Sequence, residues 1–477
     1  MNDRALFAAH ARLPDGWREN VLLEWDADGT LTRVSPDYAL AGDLASRDGG
    51  PDSARAAPLA RAAGPLVAGM PNLHSHAFQR AMAGLTEHRA NATDSFWSWR
   101  ALMYRFAAKL TPDGIGAIAR WLDIEMLKAG YTSVCEFHYL HHGPDGRPYP
   151  NVAETAERVV DAAARTGIGM TLLPVLYQFS GFGARAPNPD QRRFIHTPDS
   201  LLRALDGLRL RYPEDPMRRY GVAPHSLRAV SRDTLRELLA GLDRDFQGAP
   251  IHIHIAEQTA EVDACIATEG ARPVRWLLDQ FEVGPRWCLV HATHLDEHET
   301  RALAHTGATA GLCLTTEANL GDGLFPALDY VNAGGRFGIG SDSHIAVDWR
   351  AELRLLEYGQ RLARRERNVL ASRAQPAVAD HLFDAAAHGG AQATGRAVGS
   401  IAVGRRADWI VLDPDHPNLA ERPPSMWLSG AVFGEHGASP VRDVYVGGQR
   451  RVERGRHAQE EEAFADYRRV LRELLAD

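Results

Sequence analysis

From residue 65 onward, short apolar runs alternate with amphipathic stretches of helical period. Eight runs read as strands, at 66–70, 133–139, 170–177, 221–224, 251–255, 288–291, 310–314 and 337–340. Between them, apolar residues recur three and four apart, as in 152–166, 201–210, 233–242, 274–281 and 297–305. Strands buried on both faces read as continuous apolar runs, and a strand–helix repeat requires parallel pairing. The pattern predicts an α/β fold, a (β/α)8 barrel of the TIM type.

The flanks have a different texture. Val21-Leu22-Leu23-Glu24-Trp25 and Asp26-Ala27-Asp28-Gly29-Thr30-Leu31 read as short strands around a turn. Residues 43–64, rich in Arg, Ala, Gly and Pro, read as an exposed connection. Strand-and-turn texture returns from Gly399 to Leu412 and again at 441–446 and 449–452. Chain termini often lie close together, so these pieces are expected to share one small β domain. The division is 1–64 and 399–455 for that domain, 65–398 for the barrel, and 456–477 for a C-terminal helix. The helical spacing of 460–475 predicts packing on the barrel's outer surface or on a partner.

Composition fits this picture. The 477 residues exceed one ordinary domain but suit a large barrel with a companion. Hydrophobic residues at 45% and charged ones at 24% are those of a globular protein. A formal charge of −8 argues against a nucleic-acid partner, which needs a basic surface. Residues 1–14 lack an apolar core of signal length, and no stretch approaches the ~20 apolar residues of a membrane span. Cys135, Cys265, Cys288 and Cys313 show no CxxC pairing, which predicts free thiols and a cytoplasmic location. Among 53 Lys+Arg, only Lys109 and Lys128 are lysine.

Candidate chemistry gathers at the C-terminal ends of the predicted strands, the face on which barrel enzymes carry catalytic groups. Asn72-Leu73-His74-Ser75-His76 follows the first strand, and residues i and i+2 of an extended segment point the same way. His252-Ile253-His254-Ile255-Ala256-Glu257 ends the fifth. There His254, nearer the strand end, is the ligand candidate, and His252 reads as a core or supporting histidine. His291 ends the sixth, and Asp342 in Gly340-Ser341-Asp342-Ser343-His344 ends the eighth, where an aspartate also serves as a helix cap. Closing a barrel brings these strand ends around one axis. Three imidazoles and a carboxylate suit zinc, while iron and manganese accept similar donors. With no cysteine in these clusters, the site reads as catalytic, activating a water.

These motifs together resemble the amidohydrolase superfamily: HxH after strand one, His and Glu after five, His after six and Asp after eight. The resemblance implies that His74, His76, His254 and Asp342 bind one zinc ion per subunit. It implies that Glu257 shuttles protons, and that His291, with Asp342, activates water or stabilises the tetrahedral intermediate. Gly399–Leu412 resembles that superfamily's return into a β-sandwich. Members with two metals use a carboxylated lysine from a middle strand; both lysines here precede the second strand, so a mononuclear site is expected.

Four further stretches carry a narrower resemblance, to members that deiminate N-formimino-L-glutamate in histidine degradation. They are His74-Ser75-His76-Ala77-Phe78-Gln79-Arg80, residues 223–230, residues 252–258, and Thr315-Thr316-Glu317-Ala318-Asn319-Leu320-Gly321-Asp322-Gly323. The likeness implies that Gln79, Arg100, Tyr139, His225 and Arg228 contact substrate. A small molecule with two carboxylates calls for arginine forks. Two other readings use the same residues: an aminohydrolase of a heterocycle such as guanine or cytosine, and a non-catalytic barrel scaffold. A homodimer is expected by analogy.

Overall fold

The computed structural model describes residues 4–39, 59–87, 96–435 and 437–476. Residues 43–58 of the expected exposed connection lie outside these. At the N-terminus β1 (Ala5–Leu13), β2 (Gly16–Trp25) and β3 (Leu31–Ser35) form an antiparallel run. β4 (Leu66–Ala68) pairs parallel with β1. Then β5 (Met70–Ser75), β6 (Tyr131–His138), β7 (Gly169–Leu176) and β8 (Arg218–Tyr220) lie side by side and parallel, with β9 (Ala223–Pro224) also on β7. β10 (Ile251–Ile255), β11 (Trp287–His291), β12 (Thr309–Leu312) and β13 (Arg336–Ile339) form a second parallel set. Parallel bridges connect the two sets at both flanks, Val222 to Ile251 and Ser226 to His254 on one, Ser75 to Asp342 on the other. The architecture is mixed α/β with parallel strands.

β14 (Trp409–Leu412), β15 (Val441–Val446), β16 (Gln449–Glu453) and β17 (Arg456–His457) continue the terminal sheet in the order β17-β16-β15-β14-β4-β1-β2-β3. That order corrects two strand expectations. The apolar run at 66–70 is two strands, not one. Its first half joins the terminal sheet and its second half opens the parallel set, the partner changing where Gly69 N–H donates to the Asp408 carbonyl at 3.0 Å and Met70 N–H to that of Gly130 at 3.2 Å. The run at 221–224 is strand only at its end, as β9, while β8 lies ahead of it at Arg218–Tyr220. Residues 26–30 form the expected turn: the Asp26 carboxylate accepts the backbone N–H of Asp28 at 3.0 Å and of Thr30 at 2.8 Å.

Helices begin and end where local chemistry requires. Thr111 caps Pro112–Ala129, accepting the Gly114 N–H, and Gly130 at φ 102° ends it. The helix Glu460–Leu475 packs on this one, with Phe464 and Trp121 rings 4.8 Å apart. Both lysines hold the C-terminal helix: Lys128 pairs with Glu460, and Lys109 Nζ donates to the carbonyls of Leu474 and Ala476. Leu73, Cys288, Val290, Cys313 and Ala393 form a small buried cluster apart from the main core, beside His74 and His291 in sequence. All four cysteines are buried free thiols whose pKa burial raises. No helix among the described residues is long and apolar enough to cross a membrane.

Candidate active site

His74 lies within β5 and His76 directly follows it, rather than both following the strand. Glu136 of β6 holds the end of the strand around them, accepting from Ser75 Oγ and from the Ala77 N–H at 2.7 Å. Burial pushes this carboxyl up to about 8. Gly340 admits the backbone of His74, since a Cβ there would fall 2.7 Å from the histidine Cβ. The approach is sealed by hydrogen bonds from Asp342 N–H to His74 O and from His76 N–H to Asp342 O, 3.0 and 3.1 Å. Asp342 takes φ 48°, a conformation that costs a non-glycine residue and recurs at functional sites. The following helix is capped by Asp348, so Asp342 is not a helix cap.

These constraints converge four donors. His74 Nε2 stands 3.2 Å from His76 Nε2, 3.0 Å from His254 Nε2 and 3.4 Å from Asp342 Oδ1; His76 Nε2 to Asp342 Oδ1 is also 3.4 Å. Ligands about 2.05 Å from a tetrahedral ion are about 3.3 Å apart, so these four spacings are of the size that donors to one ion need. Its chemistry agrees. The Phe137 carbonyl, 3.0 Å from His76 Nδ1, requires the proton on that nitrogen and leaves Nε2 with a lone pair facing its neighbours. Burial lowers the pKa of His74, His76 (to about 3) and His254, so all three rings are neutral donors. Burial opposes ionisation of Asp342, but His74 at 3.4 Å and the nearby His291 hold its carboxyl well below the usual range. Lone pairs so crowded repel unless a cation lies among them. His252 is outside the set, its Nε2 2.9 Å from the Ala393 carbonyl.

His291, at φ 68°, ends β11. Its Nδ1 is 3.3 Å from Glu317 Oε1, and its Nε2 is 3.8 Å from Glu257 Oε1 and 3.9 Å from Asp342 Oδ2. Burial disfavours its cation, but Glu257, Glu317 and Asp342 together push it up to about 10. Burial raises the Glu257 carboxyl against the pull of His291 and Arg228.

Gln79, Arg100, Tyr139, His225 and Arg228 line one cavity with His76, His254, Glu257 and Asp342. Gln79 Nε2 donates to the Tyr139 hydroxyl at 2.7 Å. Arg100 Nη2 donates to the Tyr177 hydroxyl at 2.9 Å, its guanidinium over the Tyr104 ring. The His225 ring packs edge-on against His254, 4.9 Å between centroids. Arg228 is 3.9 Å from Glu257 and 3.8 Å from Glu261.

Sequence reasoning missed the supporting groups. Glu136, Glu317 and Tyr177 gave no spacing signal, because each meets its partner only across strands. The buried chain Asn72–Ser341–His344–Ser75 was visible only as flanks of the two motifs. Here Asn72 Nδ2 donates to Ser341 Oγ at 2.7 Å, its Oδ1 accepts the Ser341 N–H at 3.1 Å, and His344 lies between Ser341 Oγ and Ser75 Oγ.

Residues 66–451 match the amidohydrolase family. The chain belongs to that family. This amidohydrolase is 51% identical over 472 residues to formimidoylglutamate deiminase of Pseudomonas aeruginosa, with 99% of each chain covered. It resembles a crystal structure of an amidohydrolase from Brucella melitensis at 46% identity and TM-score 0.89, covering 99% of this chain and 100% of that one. A crystal structure of an adenosine deaminase from Xanthomonas campestris with bound zinc shares the fold, at 21% identity, TM-score 0.78 and 98% of each chain.

Proposed function

We propose that this amidohydrolase hydrolyses N-formimino-L-glutamate to N-formyl-L-glutamate and ammonia, as a step of histidine degradation. The observation that carries the reading is the meeting of three of the four donors, His76, His254 and Asp342, with Arg100 and Arg228 in one cavity, in a chain 51% identical to a formimidoylglutamate deiminase. The substrate has a cationic formimino group at one end and two carboxylates at the other, matching a carboxylate-rich centre and two guanidinium groups.

We assign His74, His76, His254 and Asp342 as ligands of one zinc ion. The metal, when bound, acidifies a water and polarises the reacting group. A lysine-bridged second metal has no support, since Lys109 and Lys128 both hold the C-terminal helix. In the reaction water adds to the formimino carbon, a proton passes to the terminal nitrogen, and that C–N bond breaks as the carbonyl forms. Glu257 Oε1 takes the proton from water and delivers it to the departing nitrogen, a role suited to a carboxyl raised by burial. Asp342 Oδ2 accepts a hydrogen bond from the water and orients it, and the cationic His291 Nε2 stabilises negative charge on the adding oxygen. Gln79, Arg100, Tyr139, His225 and Arg228 hold the glutamate portion.

The fold supports this assignment if the parallel strands close as a (β/α)8 barrel, for which the bridges at both flanks argue. The terminal strands then make the companion β-sandwich. Trp25 of β2 meets Trp409 of β14 edge-on at 5.4 Å although two strands separate them in the sheet, as expected of a sheet curled over itself. The proposed domains are the barrel at 65–398, the β domain from 1–64 and 399–455 with β4 added from the barrel side, and the helix from 456–477. A cytoplasmic homodimer completes the reading, the buried thiols favouring a reducing compartment.

The test is ammonia release from N-formimino-L-glutamate by zinc-loaded protein. Activity on guanine or cytosine in its place would overturn the substrate.

A further inference from the structure

One motif is not absorbed by these roles: the turn Gly321-Asp322-Gly323 after the helix Leu314–Leu320. Both glycines have positive φ, 72° and 135°, and the Asp322 N–H donates to Glu317 O at 2.9 Å, so the turn is sharply defined. It places a carboxylate inside the protein. Asp322 is 5% exposed. Its Oδ1 accepts from Gln258 Nε2, while buried Oδ2 has no hydrogen-bond partner. A buried acceptor left unmade is costly, and native proteins rarely retain one without a use. One oxygen of Asp322, one of Glu257 and one nitrogen of His291 all lie within 4.8 Å of one another.

The geometry points to Asp322 as a specificity-determining residue that receives, beside Glu257, the terminal –NH2 of a cationic amidine substrate. The inference rests on the formimino reading above. An sp2 –NH2 group directs its two N–H bonds about 120° apart, so two acceptors each about 2.8 Å away stand just under 5 Å from one another. Glu257 and Asp322 offer two oxygens within that span of each other. One hydrogen of the terminal nitrogen goes to Glu257, which later returns a proton there, and the other to Asp322. The two carboxylates also complement the positive charge spread over the amidine. A neutral carbonyl or urea group gains nothing from that charge. Burial and Glu257 push the Asp322 carboxyl up to about 9, and an entering cation opposes that rise and favours the ionised form that faces it.

The experiment compares zinc-loaded wild type with Asp322→Asn, using ammonia release from N-formimino-L-glutamate and inhibition by two isosteric probes. N-amidino-L-glutamate carries a cationic =NH2 where N-carbamoyl-L-glutamate carries a neutral oxygen. Asp322→Asn is expected to lower kcat/KM about 30- to 100-fold and to weaken the amidino probe to a similar extent, with the carbamoyl probe bound as before. Equal weakening of both probes would mean a structural role and overturn the inference, as would a variant within threefold of wild type on every measure. Should the variant not fold, the wild type alone decides: the amidino probe must bind at least about tenfold more tightly than the carbamoyl probe. No ammonia from the wild type would overturn the substrate reading and this inference with it. Ammonia release with an indifferent Asp322 would overturn only the inference.

Discussion

His74 and His254, 180 positions apart in the chain, bring their Nε2 atoms within 3.0 Å. Burial keeps both rings neutral, and with the proton of each on Nδ1 two Nε2 lone pairs face one another. Such a contact persists in a folded protein when a cation sits between the lone pairs. His254→Ala is therefore expected to abolish stoichiometric metal, measured by mass spectrometry of purified protein. His252→Ala, whose ring bonds the Ala393 carbonyl, should retain it. Metal loss from the second variant instead would reverse the ligand assignment within β10.

Glu257 lies 3.8 Å from His291 and outside the four-donor set. Glu257→Gln preserves shape but cannot carry a proton. The expected outcome is kcat reduced about 10²- to 10⁴-fold with metal content unchanged. Steady-state kinetics beside metal analysis checks both; loss of metal would make Glu257 a ligand.

Arg100 is oriented by the Tyr177 hydroxyl, which also accepts from Gln191 Nε2 at 2.7 Å. Loss of a charge-assisted hydrogen bond to a carboxylate weakens binding about 10- to 100-fold. Arg100→Met should raise KM by that factor with kcat nearly constant, and Tyr177→Phe should move KM less in the same direction. A fall confined to kcat would remove Arg100 from the binding role.

Asn72 holds the loop that carries Asp342 through two hydrogen bonds to Ser341. Groups that orient a ligand typically contribute 10- to 100-fold in metal affinity. Asn72→Ala is expected to weaken zinc binding by about that much, read by chelator competition, while circular dichroism remains that of the wild type. Unaltered affinity would show that the Gly340 contact alone positions the carboxylate.

Asp380 shares the Arg12 guanidinium with Asp384, which has the shorter contact, 2.6 Å against 3.4 Å. Burial, only partly offset by Arg12, pushes the Asp380 carboxyl up to about 6. The folded protein therefore holds this proton at pH values where the unfolded chain has released it. The resulting stability is complete below the unfolded pKa and is lost as pH rises to about 6, on the order of 3 kcal/mol in all. Urea unfolding across that window should show wild type losing stability relative to Asp380→Asn, which has no carboxyl to titrate. A wild type that gains on the variant would contradict the assigned shift.

Much of this protein is determined by the sequence alone. Periodicity reveals the parallel strands, because burial on both faces demands continuous apolar runs, and the helix at 460–475 has the bounds its spacing predicts. Residue chemistry marks His74, His76, His254, His291 and Asp342, since few other arrangements place imidazoles and carboxylates at strand ends. Family resemblance supplies Gln79, Arg100, Tyr139, His225 and Arg228 as a set, which one strand or helix could not reveal.

Tertiary structure decides what depends on partners distant in the chain. The apolar run at 66–70 does not say that Leu66–Ala68 pairs with β14 while Met70 opens the next sheet; hydrophobicity records burial, not the identity of the neighbour. The left-handed turn at Asp342, the clasp of Glu317 on His291 and the unpaired Asp322 oxygen are likewise silent in one dimension. Hydrogen bonds and backbone strain are set by the packed environment, and that environment forms only when the strands come together.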